Sequence, residues 1–269
     1  MSDYPTLAEF DFPVALGVSS STEVLAITGD VERIYEWASA TKALAAWATL
    51  VAIEHGHLSL DEPAGPTGST VRHLLAHASG LPFEEGPTQS PERRRVYSNL
   101  GFEVLGDHVA EAVGMDLDDW LRTAVVEPLE LHTLTLCGSA AYGITGGIKD
   151  LLALGLEMLV PTLISAELAE EARTVQFPEL EGVLPGFGRQ DRNDWGLGLE
   201  IRGDKSPHWT SPDASPATFG AFGRAGSFVW VDPEADLTAA FLGTVPFRQD
   251  THAVLWPRLN SEILAAHRN

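Results

Sequence analysis

Ser39 and Lys42 stand three residues apart in Ser39-Ala40-Thr41-Lys42, the single Ser-x-x-Lys of the chain. Lysine is scarce here: of 17 basic residues only Lys42, Lys149 and Lys205 are lysines. An arginine keeps its charge in a protein, whereas a partly buried lysine can give up its proton and serve as a base. In the first turn of a helix, positions i and i+3 share a face, so Ser39 and Lys42 can touch there. The positive potential of a helix N-terminus favours the neutral amine and stabilises negative charge on the serine oxygen. Both effects suit a serine that loses its proton to lysine as it attacks a carbonyl. A capping serine followed by a solvated lysine gives the same tetrapeptide, so the pair needs corroboration.

Tyr97-Ser98-Asn99, the single Tyr-x-Asn of the chain, offers it. A tyrosine near a cationic lysine can have its phenol pKa lowered and share the proton shuttle. An asparagine amide beside it can orient both Lys42 and a substrate carbonyl. Two other patterns carry less. His73 and His77 have the i, i+4 spacing of a zinc pair but lack the Glu of His-Glu-x-x-His, so they are expected to be structural and no metal site is expected. Gly143 to Lys149 is glycine-rich but has no Walker spacing and reads as a turn before a helix.

The elements around these residues follow from periodicity. Val14 to Ser19 and Glu23 to Thr28 are β-rich runs that read as a hairpin. From Trp37 to His55 apolar residues recur at helical spacing, which predicts an amphipathic helix carrying Lys42 in its first turn. Leu58 to Pro66 is a turn-rich loop. Further helices are expected over Thr70–Ala78, Asn99–Val113, Leu117–Val126 and Asp150–Leu159, and a long surface loop over Pro178–Asp194. Trp195–Arg202, Ser227–Val231 and Leu237–Thr244 are strand-like, and Ala253–Ala266 reads as a closing helix. Strands at both ends around a helical middle predict an α+β fold. One sheet is built from about residues 1–60 and 195–269, with a helical lobe inserted over about 61–194, as one domain.

The order of the motifs is more specific than any one of them. Ser39-x-x-Lys42 is followed by Gly56-His-Leu-Ser-Leu-Asp61, by Val71-Arg-His-Leu-Leu-Ala-His77-Ala-Ser-Gly-Leu-Pro82, and by Tyr97-Ser-Asn99. This set resembles the serine β-lactamase and penicillin-binding-protein superfamily, nearest its class C β-lactamase and esterase branch. It runs from about Val14 to the C-terminal helix and is densest from Trp37 to Gly106. The resemblance implies the β-lactamase/transpeptidase-like architecture: an antiparallel sheet flanked by helices, an inserted all-helical lobe, and the site between them. It also implies Ser39 as the acyl-accepting nucleophile, Lys42 and Tyr97 as the general-base pair, and Asn99 as the residue that orients substrate and lysine.

The family's third motif, a Lys or His, then Thr or Ser, then Gly, corresponds to Phe219-Gly220-Ala221-Phe222-Gly223-Arg224. Ala221 stands where a cation is expected and Phe222 where a hydroxyl is expected. Gly223 is kept, and the implied oxyanion hole consists of the backbone N–H groups of Ser39 and Arg224. Without the cation, a carboxylate-bearing β-lactam or peptide has no anchor at 221, which makes true β-lactamase activity weak or absent. Lys205, His208 and Arg224 are candidates to replace that cation, each with a solvated loop as the alternative. Trp37 either walls the site or belongs to the core.

Composition narrows the rest. A net charge of −21 opposes binding to nucleic acid or to anionic membranes. The N-terminal residues show no signal-peptide pattern, and the single Cys137 fits a reducing compartment, so a cytoplasmic location is expected. The leading reading is a serine hydrolase of small esters or amides, working through an acyl-Ser39 intermediate without cofactor or metal. An acyl- or amide-transferring biosynthetic enzyme and a catalytically silent binding protein of the same fold stand as alternatives.

Overall fold

The computed structural model describes residues 4–268. After a short 3-10 turn, β1 (Val14–Ser20) and β2 (Val24–Gly29) form the expected hairpin. A two-residue strand, β3 (Tyr35–Glu36), and a 3-10 turn over Ala38–Ala40 lead into α1 (Thr41–Glu54). The helical region holds α2 (Val71–Leu75), α3 (Asn99–Val113) and α4 (Leu117–Leu121), the last continued by a π-helical turn over Arg122–Val126. Next come β4 (Thr145–Gly146), which pairs with β3, then α5 (Ile148–Leu159) and α6 (Ala166–Ala172).

The rest of the chain is mostly sheet. The short hairpin β5 (Gly182–Leu184) and β6 (Gly188–Gln190) precedes β7 (Glu200–Ile201), β8 (Phe219–Gly223), β9 (Ser227–Asp232) and β10 (Leu237–Gly243). The closing helix is α7 (His252–His267). The main sheet has the order β2-β1-β10-β9-β8-β7 and is antiparallel throughout. N- and C-terminal segments thus build one sheet, because β1 pairs with β10 from Val14–Gly243 to Ser20–Leu237.

Burial explains the departures from the sequence reading. The helix bearing Lys42 is not amphipathic: every residue from Thr41 to Ala52 is buried, because α1 runs through the main hydrophobic core. The Pro- and Gly-rich stretch 178–194 is not one loop but contains the β5–β6 hairpin, tied down by an Arg95 N–H to Glu181 carbonyl bond of 2.8 Å. The strand expected over Trp195–Arg202 shrinks to Glu200–Ile201, and the helix expected over Thr70–Ala78 stops at Leu75. α6 had no expectation in the sequence. α5 packs its apolar face on β1, β9 and β10, while α7 covers the opposite face through Trp256, Leu259 and Ile263.

Candidate active site

Ser39 sits in the 3-10 turn that opens α1, and Lys42 lies in the helix's first turn. Ala38, just before Ser39, takes a left-handed φ of 44°, an unfavourable conformation for a residue with a Cβ. The surroundings hold it there. Ser227 Oγ donates to the Trp37 carbonyl at 2.7 Å, and the Trp37 N–H donates to the Ile144 carbonyl at 2.9 Å. Trp37 itself is fully buried, so it is core rather than a cavity wall.

Gly223 shows why that position must be glycine. A Cβ there would stand 2.2 Å from the Trp37 carbonyl oxygen and 3.1 Å from the Ser39 nitrogen. The end of β8 therefore presses backbone against backbone at Ser39. Arg224 follows directly and lines the cavity beside Ser39.

Lys42 is 2% exposed. Its ammonium donates to Asn99 Oδ1 at 2.7 Å and to the Ala141 carbonyl at 2.8 Å, and it lies 4.8 Å from the centre of the Tyr97 ring. Both bonded partners are neutral oxygens. Burial pushes the Lys42 pKa down to about 7, against the weaker opposing pull of the Glu103 and Glu84 carboxylates. Tyr97 moves the other way from the expected lowering: burial raises its pKa, although a hydrogen bond with Ser39 partly offsets this. A removable proton thus belongs to Lys42, and the phenol of Tyr97 stays protonated beside Ser39.

Asn99 begins α3, capped by Ser98, whose Oγ accepts from the Gly101 N–H at 2.8 Å. Its amide nitrogen donates to Glu84 at 3.1 Å, which leaves Oδ1 for the lysine. His77 supports this segment by accepting the Ser98 N–H on Nδ1 at 3.1 Å, with its ring 4.7 Å from that of Tyr97. His73 instead caps α2 through Thr70 and stacks on Phe177. The two histidines serve different local structures, and among the described residues no group of three or more His, Cys, Asp or Glu side chains is placed to hold a metal.

Ser39, Lys42, Tyr97, Asn99, Ala221, Phe222 and Arg224 all line one cavity of about 660 Å³. The aromatic rings of Phe83, Tyr142 and Phe247 complete its wall; Phe83 and Tyr142 are about half exposed. These loop aromatics had no sequence pattern to mark them. Lys205 and His208 do not line the cavity. Lys205 donates to Glu200 Oε1 at 2.9 Å and His208 Nε2 lies 2.8 Å from the same oxygen, while Trp209 Nε1 donates to Oε2 at 2.6 Å. Burial alone would raise the Glu200 pKa, but Lys205 and His208 outweigh it and hold the carboxylate down at about 2. Of the three candidate replacements for the missing cation, only Arg224 faces the cavity. Glu200, which lines it, went unnoticed in the sequence; a lone acid in a strand-like run close to a scarce lysine was its one signal.

Comparison with known proteins follows the same lines. The family model described as Beta-lactamase matches residues 26–261. A search of the curated proteins gives no match. Among solved structures, the chain is similar to a β-lactamase from Mycobacterium bovis, with 44% identity, full coverage of both chains and a TM-score of 0.97. It shares its fold with a simvastatin synthase variant from Aspergillus terreus, at 15% identity, 98% and 96% coverage and a TM-score of 0.78. The same holds for EstCE1, described as a hydrolase with promiscuous acyltransferase activity, at 16% identity, 98% and 96% coverage and a TM-score of 0.74.

Proposed function

The chain belongs to the β-lactamase family, and on that premise we propose that it is a serine hydrolase of small esters or amides that works through an acyl-Ser39 intermediate. The observation that carries this reading is Lys42, buried beside Ser39 with only neutral oxygens for partners. A buried ammonium without a carboxylate is poised to be neutral, and a neutral amine can take a proton.

In this reading Ser39 Oγ attacks the substrate carbonyl as its proton passes to Lys42, with the hydroxyl of Tyr97, which lines the same cavity, as the relay. The tetrahedral oxyanion accepts from the backbone N–H groups of Ser39 and Arg224. The C–O or C–N bond of the leaving group then breaks, and that group receives the proton from Lys42 by way of Tyr97. Water repeats the sequence on the acyl-enzyme and frees Ser39. Ala221 and Phe222 make the wall near the reacting centre apolar, which favours an uncharged acyl group over a carboxylate-bearing β-lactam. The cavity has room for an alcohol or amine beside the acyl group, so acyl transfer is the second reading. EstCE1 and the simvastatin synthase, similar in fold, carry names that fit it. The substrate is a small molecule rather than nucleic acid or membrane, given the charge of −21. The exposed thiol of Cys137 fits a cytoplasmic setting. No helix of the described residues is long and apolar enough to cross a membrane.

Intact-mass measurement after exposure to p-nitrophenyl butyrate, a fluorophosphonate and a penicillin tests the proposal. We expect an adduct from the first two that is absent in Ser39→Ala, with little from the penicillin. Added amines or alcohols that divert the acyl group from water would establish transfer. Absence of any adduct would leave the silent binding protein as the better reading.

A further inference from the structure

A second groove of about 450 Å³ adjoins the cavity, and Phe83, Tyr97 and Pro185 line both. In a chain of net charge −21, this groove is lined by Arg94, Arg95 and Arg189 against a single carboxylate, Glu181. Arg189 is paired with Glu181. Arg95 is buried, and its guanidinium donates to the carbonyls of Ala76, Gln176, Phe177 and Asn193 rather than to an acid. Arg94 is exposed and, among the described residues, has no hydrogen bond or ion pair.

That lack of a partner is unusual here. With 38 Asp and Glu residues available, every other arginine except Arg93 and Arg224 bonds a carboxylate or a carbonyl. The frame around Arg94 is fixed, because Arg95 pairs with the strand at Gly182 and the Asn193 N–H donates to the Leu180 carbonyl at 2.9 Å. On the inner cavity Glu36 and Glu84 oppose an anion and offset the charge of Arg224, whereas the groove further out sets three arginines against one carboxylate.

We propose that this groove binds a terminal oxyanion, a carboxylate or a phosphate, at the far end of the molecule whose carbonyl sits at Ser39. The proposal rests on Ser39 as the reacting residue. It makes the substrate an elongated molecule: uncharged and apolar where it meets Ala221, Phe222 and Phe83, and anionic where it reaches Arg94 and Arg189. Arg94 supplies the free charge, and Arg189 can turn one of its N–H groups from Glu181 to the ligand.

Calorimetric titration of the Ser39→Ala protein separates this from the chemistry, since it needs binding and no turnover. Two pairs of probes differ only in the anion: p-nitrophenyl hydrogen adipate against its methyl ester, and S-acetyl-4′-phosphopantetheine against S-acetylpantetheine. At low salt we expect the anionic member of at least one pair to bind about tenfold more tightly, as a charge-assisted arginine contact gives. The pair that discriminates names the source of the anion. The preference should shrink as salt is raised and fall below about twofold in Ser39→Ala with Arg94→Glu, a change at an exposed, unbonded side chain. No preference in either pair, no measurable binding of any probe, or a preference untouched by Arg94→Glu and by Arg189→Gln would overturn the proposal. If wild-type Ser39 is not acylated by the neutral ester, the hydrolase reading fails by itself, and the titration still decides the groove.

Discussion

Two of the three lysines are buried, Lys42 at 2% exposure and Lys205 at 3%, and they differ in what holds them. Lys205 meets a carboxylate, Glu200, together with the carbonyls of Asp194 and Ile201. Lys42 meets an amide oxygen and a peptide carbonyl, and its nearest acids act only from a distance. Burial lowers both pKa values, but Glu200 opposes the shift at Lys205 directly, and its own carboxylate stays ionised. Lys205 is half of an ion pair that fixes β7 to the loop behind it. Lys42 has no carboxylate partner, and in the proposed mechanism it is the amine that exchanges a proton with Ser39. Desolvation sets the direction of a buried lysine's shift, and the charge of its partner decides whether that lysine becomes chemistry or scaffold.

The largest effects come from removing each lysine in turn. Lys42→Met should lower the rate of Ser39 acylation by about a thousandfold or more, and Lys42→Arg should not restore it, because arginine keeps its proton. Pre-steady-state release of p-nitrophenol measures this. Lys205→Met should act on stability, since it leaves Glu200 buried with His208 and Trp209 but no cation. A loss of about 3–5 kcal/mol is expected, seen as a midpoint lower by roughly 10 °C in thermal unfolding. Acylation per folded molecule, counted by titration with a fluorophosphonate, should change far less than in Lys42→Met.

Asn99→Asp makes Lys42 resemble Lys205 by giving it a carboxylate. The neutral amine is the active form, so activity rises as pH climbs through the Lys42 pKa of about 7. In Asn99→Asp that rise should move upward by about one to two pH units, read from kcat/KM against pH. The smallest change is Glu84→Gln. Glu84 is exposed and raises the Lys42 pKa, so its loss should move the rise downward by a few tenths of a unit, about the size expected of a screened charge, and less at high salt. Upward movement in Glu84→Gln would contradict the electrostatics described for the site.

The half of this comparison to which catalysis is proposed was legible in the sequence and the scaffold half was not. Ser39, Lys42, Tyr97 and Asn99 announce themselves by type and spacing, and the fold brings all four to one cavity. The sheet built from both ends of the chain was readable too, since β1 and β10 are long apolar runs. The Glu200 cluster depends on a loop that folds His208 and Trp209 back onto β7, which no periodicity encodes. The Ala141 carbonyl is backbone and leaves no residue type to recognise. The lowered pKa expected for Tyr97 came from considering Lys42 alone; burial of the phenol outweighs it. In the 178–194 stretch, Pro and Gly suggested a loop, yet Gly182 and Gly188 bound the strands of a hairpin that walls the groove.

The measurement closest to the central claim is NMR of the protein labelled with 15N and 13C at its lysine side chains, which gives just three ammonium sites to assign. A base held by neutral oxygens requires one lysine that titrates near pH 7 and whose signal is lost in Lys42→Met. If Lys42 instead keeps its proton up to pH 9, as a lysine paired with a carboxylate does, then it is not the base that activates Ser39.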